Sequence, residues 1–191
     1  MPVPRLTSQR LILSELKLSD VNEIRFLRSD PGVNHYIKRT VPRSKKETLD
    51  VMRNLKNGVK KGDWYFWRIG IVSQKELIGT ICLWNFSADK TMAEVGYDLM
   101  PSNGGQGYMS EALQLVLDFG FNTIHLDEIE AFTHFDNQKS LNLLHRYGFV
   151  LVDGKKDLGN EDNVVFQLGK KSFQMNSKGD SLYYEQMNHD H

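Results

Sequence analysis

The chain lacks most features that announce a function in bulk. Its 191 residues include one cysteine, Cys82, so no disulfide can close within the chain, and a reducing compartment is expected. No run approaches the roughly 20 apolar residues needed to span a bilayer. The opening Met-Pro-Val-Pro-Arg-Leu has no apolar stretch behind a basic one, so a cytoplasmic protein with no membrane partner is expected. An excess of one charge is missing too: Lys plus Arg, 24, balances Asp plus Glu, 24, and the overall field points to no nucleic acid. There is no internal repeat and no low-complexity block. At 40% hydrophobic and 25% charged, what remains is an ordinary globular chain, long enough to bury a core.

The pattern of apolar residues then supplies the elements. Leu11-Ile12-Leu13 reads as a short strand, and Ser19-Asp20 offers cap chemistry for a helix to about Arg28, which Asp30-Pro31-Gly32 stops. Leu49, Met52, Leu55 and Val59 recur at helical spacing between Ser44 and Lys60. Segments 64–72, 77–86 and 92–100 follow with short polar spacers, an antiparallel meander. Met109, Ala112, Leu113, Val116, Leu117 and Gly120 then mark one buried helix face. A strand near 128–135, a helix near 138–147 and late strands near 149–152 and 164–168 complete the core. Strand, helix, strand favours a parallel pair inside a mixed α/β sheet. Residues 1–9 read as an extension, 10–170 as one domain and 171–191 as a polar tail.

The segment Asn103-Gly104-Gly105-Gln106-Gly107-Tyr108-Met109-Ser110 joins the meander to the next helix. Its glycines let the backbone turn sharply and approach a ligand, while the first helical N–H groups stay unpaired and favour phosphate. From Gly105 the letters run G-Q-G-Y-M-S, which is not the dinucleotide fingerprint, and no Gly-Lys-Ser/Thr follows for a P-loop. A plain strand-to-helix turn would use the same glycines.

The run Ala93-Glu94-Val95-Gly96-Tyr97-Asp98-Leu99-Met100-Pro101, followed by Gly105-Gln106-Gly107-Tyr108-Met109-Ser110-Glu111-Ala112, resembles the acetyl-CoA-binding region of GNAT N-acetyltransferases, in particular the RimJ/RimL-like branch. Asp136-Asn137-Gln138-Lys139-Ser140-Leu141, ending in Tyr147-Gly148-Phe149, is similar to the branch's Asn-x-x-Ser segment, and Arg10-Leu11-Ile12-Leu13 to its opening strand. Gly104 stands where the wider family often has Gln or Arg and the branch Trp, and Met109 where it has Gly or Ala. Backbone donors survive both changes. The resemblance implies a mostly antiparallel sheet of about seven strands with a splayed central parallel pair and about four helices. It implies acetyl-CoA as co-substrate and a monomer or homodimer; no metal is expected, because His134 and Asp136 have no third ligand at metal-like spacing. The favoured acceptor is a protein N-terminal α-amine, with a small amine, or a catalytically silent CoA-binding module, as alternatives.

In that family picture Leu99, Met100 and Pro101 pair with the pantetheine arm, and the amides of Gly105, Gln106, Gly107, Tyr108, Met109 and Ser110 hold the pyrophosphate, Ser110 with a hydroxyl to add. Amine acetylation needs a base, and Glu94 is the first candidate, with Asp98 second; period-2 geometry puts both on one strand face with Gly96. Asn137 and Ser140 lie one helical turn apart. The resemblance gives Asn137 to the cofactor arm and makes Ser140 the proton donor, since the position where many relatives carry an acidic Tyr is Leu144. His35-Tyr36 occupies the stretch where relatives shape the acceptor site. Cys82 reads as a buried structural thiol, and the aromatic run 64–67 as core with one or two residues available to wall a pocket.

Overall fold

Alternating side chains give the two faces of an eight-stranded sheet different jobs in a computed structural model that describes residues 3–74 and 76–175. The strands are β1 (Leu6–Thr7), β2 (Leu11–Glu15), β3 (Tyr65–Ile71), β4 (Leu77–Trp84), β5 (Met92–Leu99), β6 (Glu128–His134), β7 (Val150–Leu151) and β8 (Asn163–Gly169), in the spatial order β1-β2-β3-β4-β5-β6-β8-β7. Every neighbouring pair is antiparallel except β5 and β6. The helices are α1 (Val21–Ser29), α2 (Pro31–Asn34), α3 (Lys45–Lys61), α4 (Tyr108–Asp118) and α5 (Gln138–Arg146). The mixed sheet with one parallel pair is the expected class. The extra strand is the two-residue β1; of the extra helical segments, one is a single turn capped by Asp30, whose Oδ1 accepts the Val33 N–H at 2.9 Å, and another is formed by residues 170–175.

One sheet face carries Leu11, Leu13, Trp67, Ile69, Ile81, Leu83, Ala93 and Val95, all buried against α4, whose Ala112, Leu113, Val116 and Leu117 are 0% exposed. Two positions apart on each strand, these residues form a continuous apolar surface, and its removal from water is the main favourable contribution to folding. The opposite face is covered by α1 and α3 over a smaller cluster of Leu16, Val21, Ile24, Leu27, Met52 and Leu77. That face also holds polar strand residues. Arg68 on β3 is buried and lies 3.1 Å from Asp20. Asp20 was expected to cap α1; its side chain instead accepts the Lys17 N–H at 2.8 Å and meets Arg68, which ties the start of α1 to the sheet.

Both expected chain-end boundaries dissolve in the packing. Val3 is buried, the Pro4 carbonyl accepts the Trp67 indole N–H at 2.7 Å, and β1 pairs with β2, so residues 3–9 are part of the sheet unit. At the other end residues 170–175 are helical, and Phe173 is 4% exposed with its ring 5.1 Å from that of Phe121. The polar tail therefore does not begin at 171, and the rest of it lies outside the described residues. Among the described residues no helix is long and apolar enough to cross a membrane.

Candidate active site

The central parallel pair is short. β5 and β6 share only the positions Met92↔Glu128, Ala93↔Ile129 and Glu94↔Glu130, although β5 continues to Leu99 and β6 to His134. Beyond Glu94, β5 stays with β4 and β6 stays with β8, so the two strands part and leave a wedge in the middle of the sheet. Their inner edges carry backbone groups with no strand opposite, which is a template for an extended ligand. Met100 donates its N–H to the Ile78 carbonyl of β4 at 2.8 Å. Since alternate residues direct their backbone groups to opposite neighbours, Val95, Tyr97 and Leu99 turn theirs toward the wedge. Of the expected trio only Leu99 turns its backbone groups to the wedge; the Met100 carbonyl accepts from Asn103 and the Pro101 carbonyl from Gly104, and proline has no N–H to give.

A cavity of about 570 Å³ opens at the wedge, lined by Glu94 and Tyr97 from β5, by Asn137 and Ser140 from the start of α5, by Tyr36 to Lys38, and by residues of the β7–β8 connection. Glu94 and Tyr97 belong to opposite sheet faces by strand parity, so the parted strands expose both faces to one chamber. On the side of α1 and α3, burial pushes the Glu94 carboxyl up to about 7; side-chain donors on Asn85 and Trp84 pull it down, and the nearby Asp157 and Glu130 carboxylates push it further up. A Cβ on Gly96 would stand 3.3 Å from the Cys82 sulfur and 3.6 Å from the Trp84 indole nitrogen, so glycine there lets the indole lie close to the strand beside Glu94. Burial raises the Cys82 thiol to about 12, an inert structural group, as expected.

Asp98 sits on the same strand face but not in the chamber. Its Oδ2 accepts Arg39 Nη1 at 2.9 Å and its Oδ1 accepts Thr80 Oγ1 at 2.5 Å, with the side chain 8% exposed. Arg39 also donates to the Leu27 carbonyl at 2.7 Å and to Asn34 Oδ1 at 2.6 Å. The structure thus gives the second candidate base a different task. Both of its oxygens hold donors, and through Arg39 it fastens the segment carrying Tyr36 to Lys38 over the sheet.

On the α4 and α5 side, Ser140 Oγ lies 2.8 Å from the Tyr97 hydroxyl. Burial raises the Tyr97 phenol to about 12, with the Ser140 hydrogen bond pulling the other way, so this pair carries its protons at neutral pH. Asn137 caps α5 by accepting the Ser140 N–H at 3.2 Å. Tyr97 is not among the site residues that the sequence suggests; the signal was that a strand bordering a split sheet shows both faces. Leu144 is fully buried in the core, and none of the residues 64–67 lines the chamber. Tyr36 does line it, with its ring 5.0 Å from His134.

The glycine turn has the geometry of an anion cradle. Gly105 and Gly107 have φ of 73° and 78°, the left-handed region that a side chain resists. The first intrahelical bond of α4 runs from Glu111 N–H to the Gly107 carbonyl at 3.0 Å, so the N–H groups of Tyr108, Met109 and Ser110 point out of the helix end, where its dipole favours an anion. Ser110 Oγ lies 3.1 Å from the Tyr147 hydroxyl, which donates to the Ser110 carbonyl at 2.6 Å; its hydroxyl links α4 to the end of α5. Arg10, read from sequence only as the start of a strand, reaches the turn. It donates to the Gln106 carbonyl at 3.1 Å, pairs with Glu111 at 2.6 Å and lies 4.8 Å from the Tyr108 ring centre. Among the described residues no group of three or more His, Cys, Asp or Glu could hold a metal ion.

A family model of the acetyltransferase (GNAT) domain matches residues 10–150. The chain belongs to the GNAT acetyltransferase family. It is 30% identical over 173 residues to the uncharacterized N-acetyltransferase p20 of Bacillus licheniformis, covering 88% of this chain and 97% of that protein. Solved GNAT structures share the fold. A ribosomal-protein-S5-alanine acetyltransferase from Vibrio fischeri superposes with a TM-score of 0.75 at 22% identity, over 87% of this chain and 97% of that one. The ribosomal-protein acetyltransferase RimL, solved in complex with coenzyme A, gives 0.75 at 20% identity, over 87% and 98%. Within this GNAT enzyme the parted strands and the glycine turn are continuous with one another, a layout suited to an extended ligand ending in phosphate.

Proposed function

We propose that this GNAT enzyme transfers the acetyl group of acetyl-CoA directly to a primary amine, and that the amine is the N-terminal α-amine of a protein, as in the RimJ/RimL-like branch. The observation that carries the reading is the chamber itself, where a carboxyl with a pKa of about 7 and a hydroxyl pair that keeps its protons enter from opposite sheet faces. The amides of residues 105–110 suit the pyrophosphate and the inner edge of β5 at Val95, Tyr97 and Leu99 suits the pantetheine arm. Acetyl-CoA supplies the activated thioester. Glu94 takes the proton of the ammonium, directly or through water, so that nitrogen is a nucleophile; Ser140, backed by Tyr97, holds the proton that the departing thiolate receives.

The acidity of Glu94 supports the choice of amine. An α-ammonium has a pKa near 7.8, so handing its proton to a carboxylate of pKa about 7 costs about 1 kcal/mol, whereas a lysine ammonium near 10.4 would cost about 5 kcal/mol. The names of RimL and the ribosomal-protein-S5-alanine enzyme point the same way. The test is thiol release from acetyl-CoA with a free-N-terminus peptide lacking lysine, against the same peptide blocked at its N-terminus and carrying one lysine. Turnover of the free peptide alone is expected. Turnover of the blocked peptide at the same rate would refute the α-amine, and no thiol release with any amine would refute acetyl transfer.

A further inference from the structure

The β7–β8 connection borders the mouth of the chamber and is braced from within. The Asp157 carboxylate accepts the Gly159 N–H at 2.8 Å and Asn163 Nδ2 at 2.8 Å. Asn160, 6% exposed, donates its side-chain amide to Asn163 Oδ1 at 3.2 Å and accepts the Asp162 N–H at 3.4 Å. Across the opening, Lys38 meets Asp162 at 3.6 Å. On this hydrogen-bonded frame Leu158 is 100% exposed and yet lines the chamber, together with Trp84, which is 43% exposed.

A single exposed leucine on a surface requires no explanation. Leu158 differs because of where the frame holds it. The residue before it, Asp157, lines the chamber as well and its carboxylate acts on Glu94, so Leu158 and the proposed base share one chamber. An acceptor seated in that chamber meets an apolar lining at Leu158 and Trp84, and apolar surface gains when it is covered by apolar surface. Polar cover would leave the same leucine no better off than in water.

We infer that the acceptor presents an apolar side chain next to its reactive amine, on the second residue of a polypeptide, and that Leu158 and Trp84 read it. The inference rests on the α-amine reading above and adds a substrate class to it. It is tested with peptides that begin with alanine and differ only at the second residue, which is Leu, Phe, Ser or Asp. The full chain and its Leu158→Ser and Leu158→Met variants are assayed by thiol release, and acetyl-CoA binding is followed separately by thermal shift. In the unaltered chain the Leu and Phe peptides should exceed the Ser peptide by about tenfold in kcat/KM, mainly through KM. Leu158→Ser should bring them to within about twofold of the Ser peptide, and Leu158→Met should keep the preference. Equal turnover of the four peptides, or a preference that survives Leu158→Ser, overturns the inference and leaves acetyl transfer standing. Binding of acetyl-CoA with no turnover of any peptide overturns the α-amine reading and this inference with it.

Discussion

Replacing Glu94 by Gln should strengthen the fold above neutral pH while moving the acid limb of catalysis from about 7 to the amine's own pKa. The folded carboxyl titrates at about 7, above its ordinary value of 4.5. Well below pH 4.5 the group is protonated whether the chain is folded or not, and it adds no pH dependence. Between about 4.5 and 7 the unfolded chain releases a proton that the folded one retains, so stability is lost as pH rises, and above 7 the penalty is constant. A shift of about 2.5 pK units corresponds to about 3.4 kcal/mol for a fully enclosed group, but the chamber admits water and Glu94 is only partly buried, so about 1–2 kcal/mol is expected. Urea unfolding of the two proteins at pH 5 and pH 8.5 gives the comparison. The advantage of Glu94→Gln should grow by about 1–2 kcal/mol at the higher pH. In parallel, kcat/KM of the unaltered enzyme should rise about tenfold per pH unit to about 7 and level off there, whereas the variant, which depends on amine already deprotonated in water, should keep rising to the amine's own pKa near 7.8 and be lower at pH 7 by about 10² to 10⁴. An advantage equal at both pH values refutes the burial argument, and a variant with the parent's rate refutes the base.

The hydroxyl pair gives a graded result: Ser140→Ala should reduce kcat by about 10²-fold and Tyr97→Phe by about tenfold, with acetyl-CoA affinity unchanged by isothermal titration; a parental kcat in Ser140→Ala would remove it from the reaction. Gly107→Val introduces a β-branched residue at φ 78° with its Cβ 3.4 Å from Arg10 Nη2, and should weaken coenzyme A binding at least about tenfold with a stability loss of about 1–3 kcal/mol; unchanged affinity would place the phosphates elsewhere. Phe173→Ala should cost about 3–5 kcal/mol in urea unfolding if the chain end completes the core, and an unmoved midpoint would return residue 173 to the tail.

Elements with strong periodicity were legible from the letters. The α3 face, the meander and the buried side of α4 follow from local spacing, and Ser44 and Asn137 cap α3 and α5, each accepting an N–H three residues on. What escaped depended on distant partners. Asp98 looks like a free carboxylate until Arg39, 59 positions earlier in the chain, arrives to hold it. Asp20 looks like a cap until β3 brings Arg68 beside it. Arg10 gained its place at the glycine turn through β2, across 96 positions. The amides of the turn were readable because glycine spacing sets backbone geometry locally. Which residues of β5 turn their backbone to the wedge was not, since that depends on which neighbour Met100 bonds.

The parting of β5 and β6 makes the sheet a partition with a window in it. The glycine turn and Ser140 lie on the α4 and α5 side, while Glu94 lies on the side of α1 and α3, so the proposed reaction gives donor and acceptor each their own antechamber. A conjugate in which an acceptor peptide is joined to the sulfur of coenzyme A by a two-carbon bridge would thread that window and occupy both at once. Its second half would bind at the high effective concentration set by the first, so its affinity should exceed that of either fragment by orders of magnitude. Trimming either end would forfeit the gain.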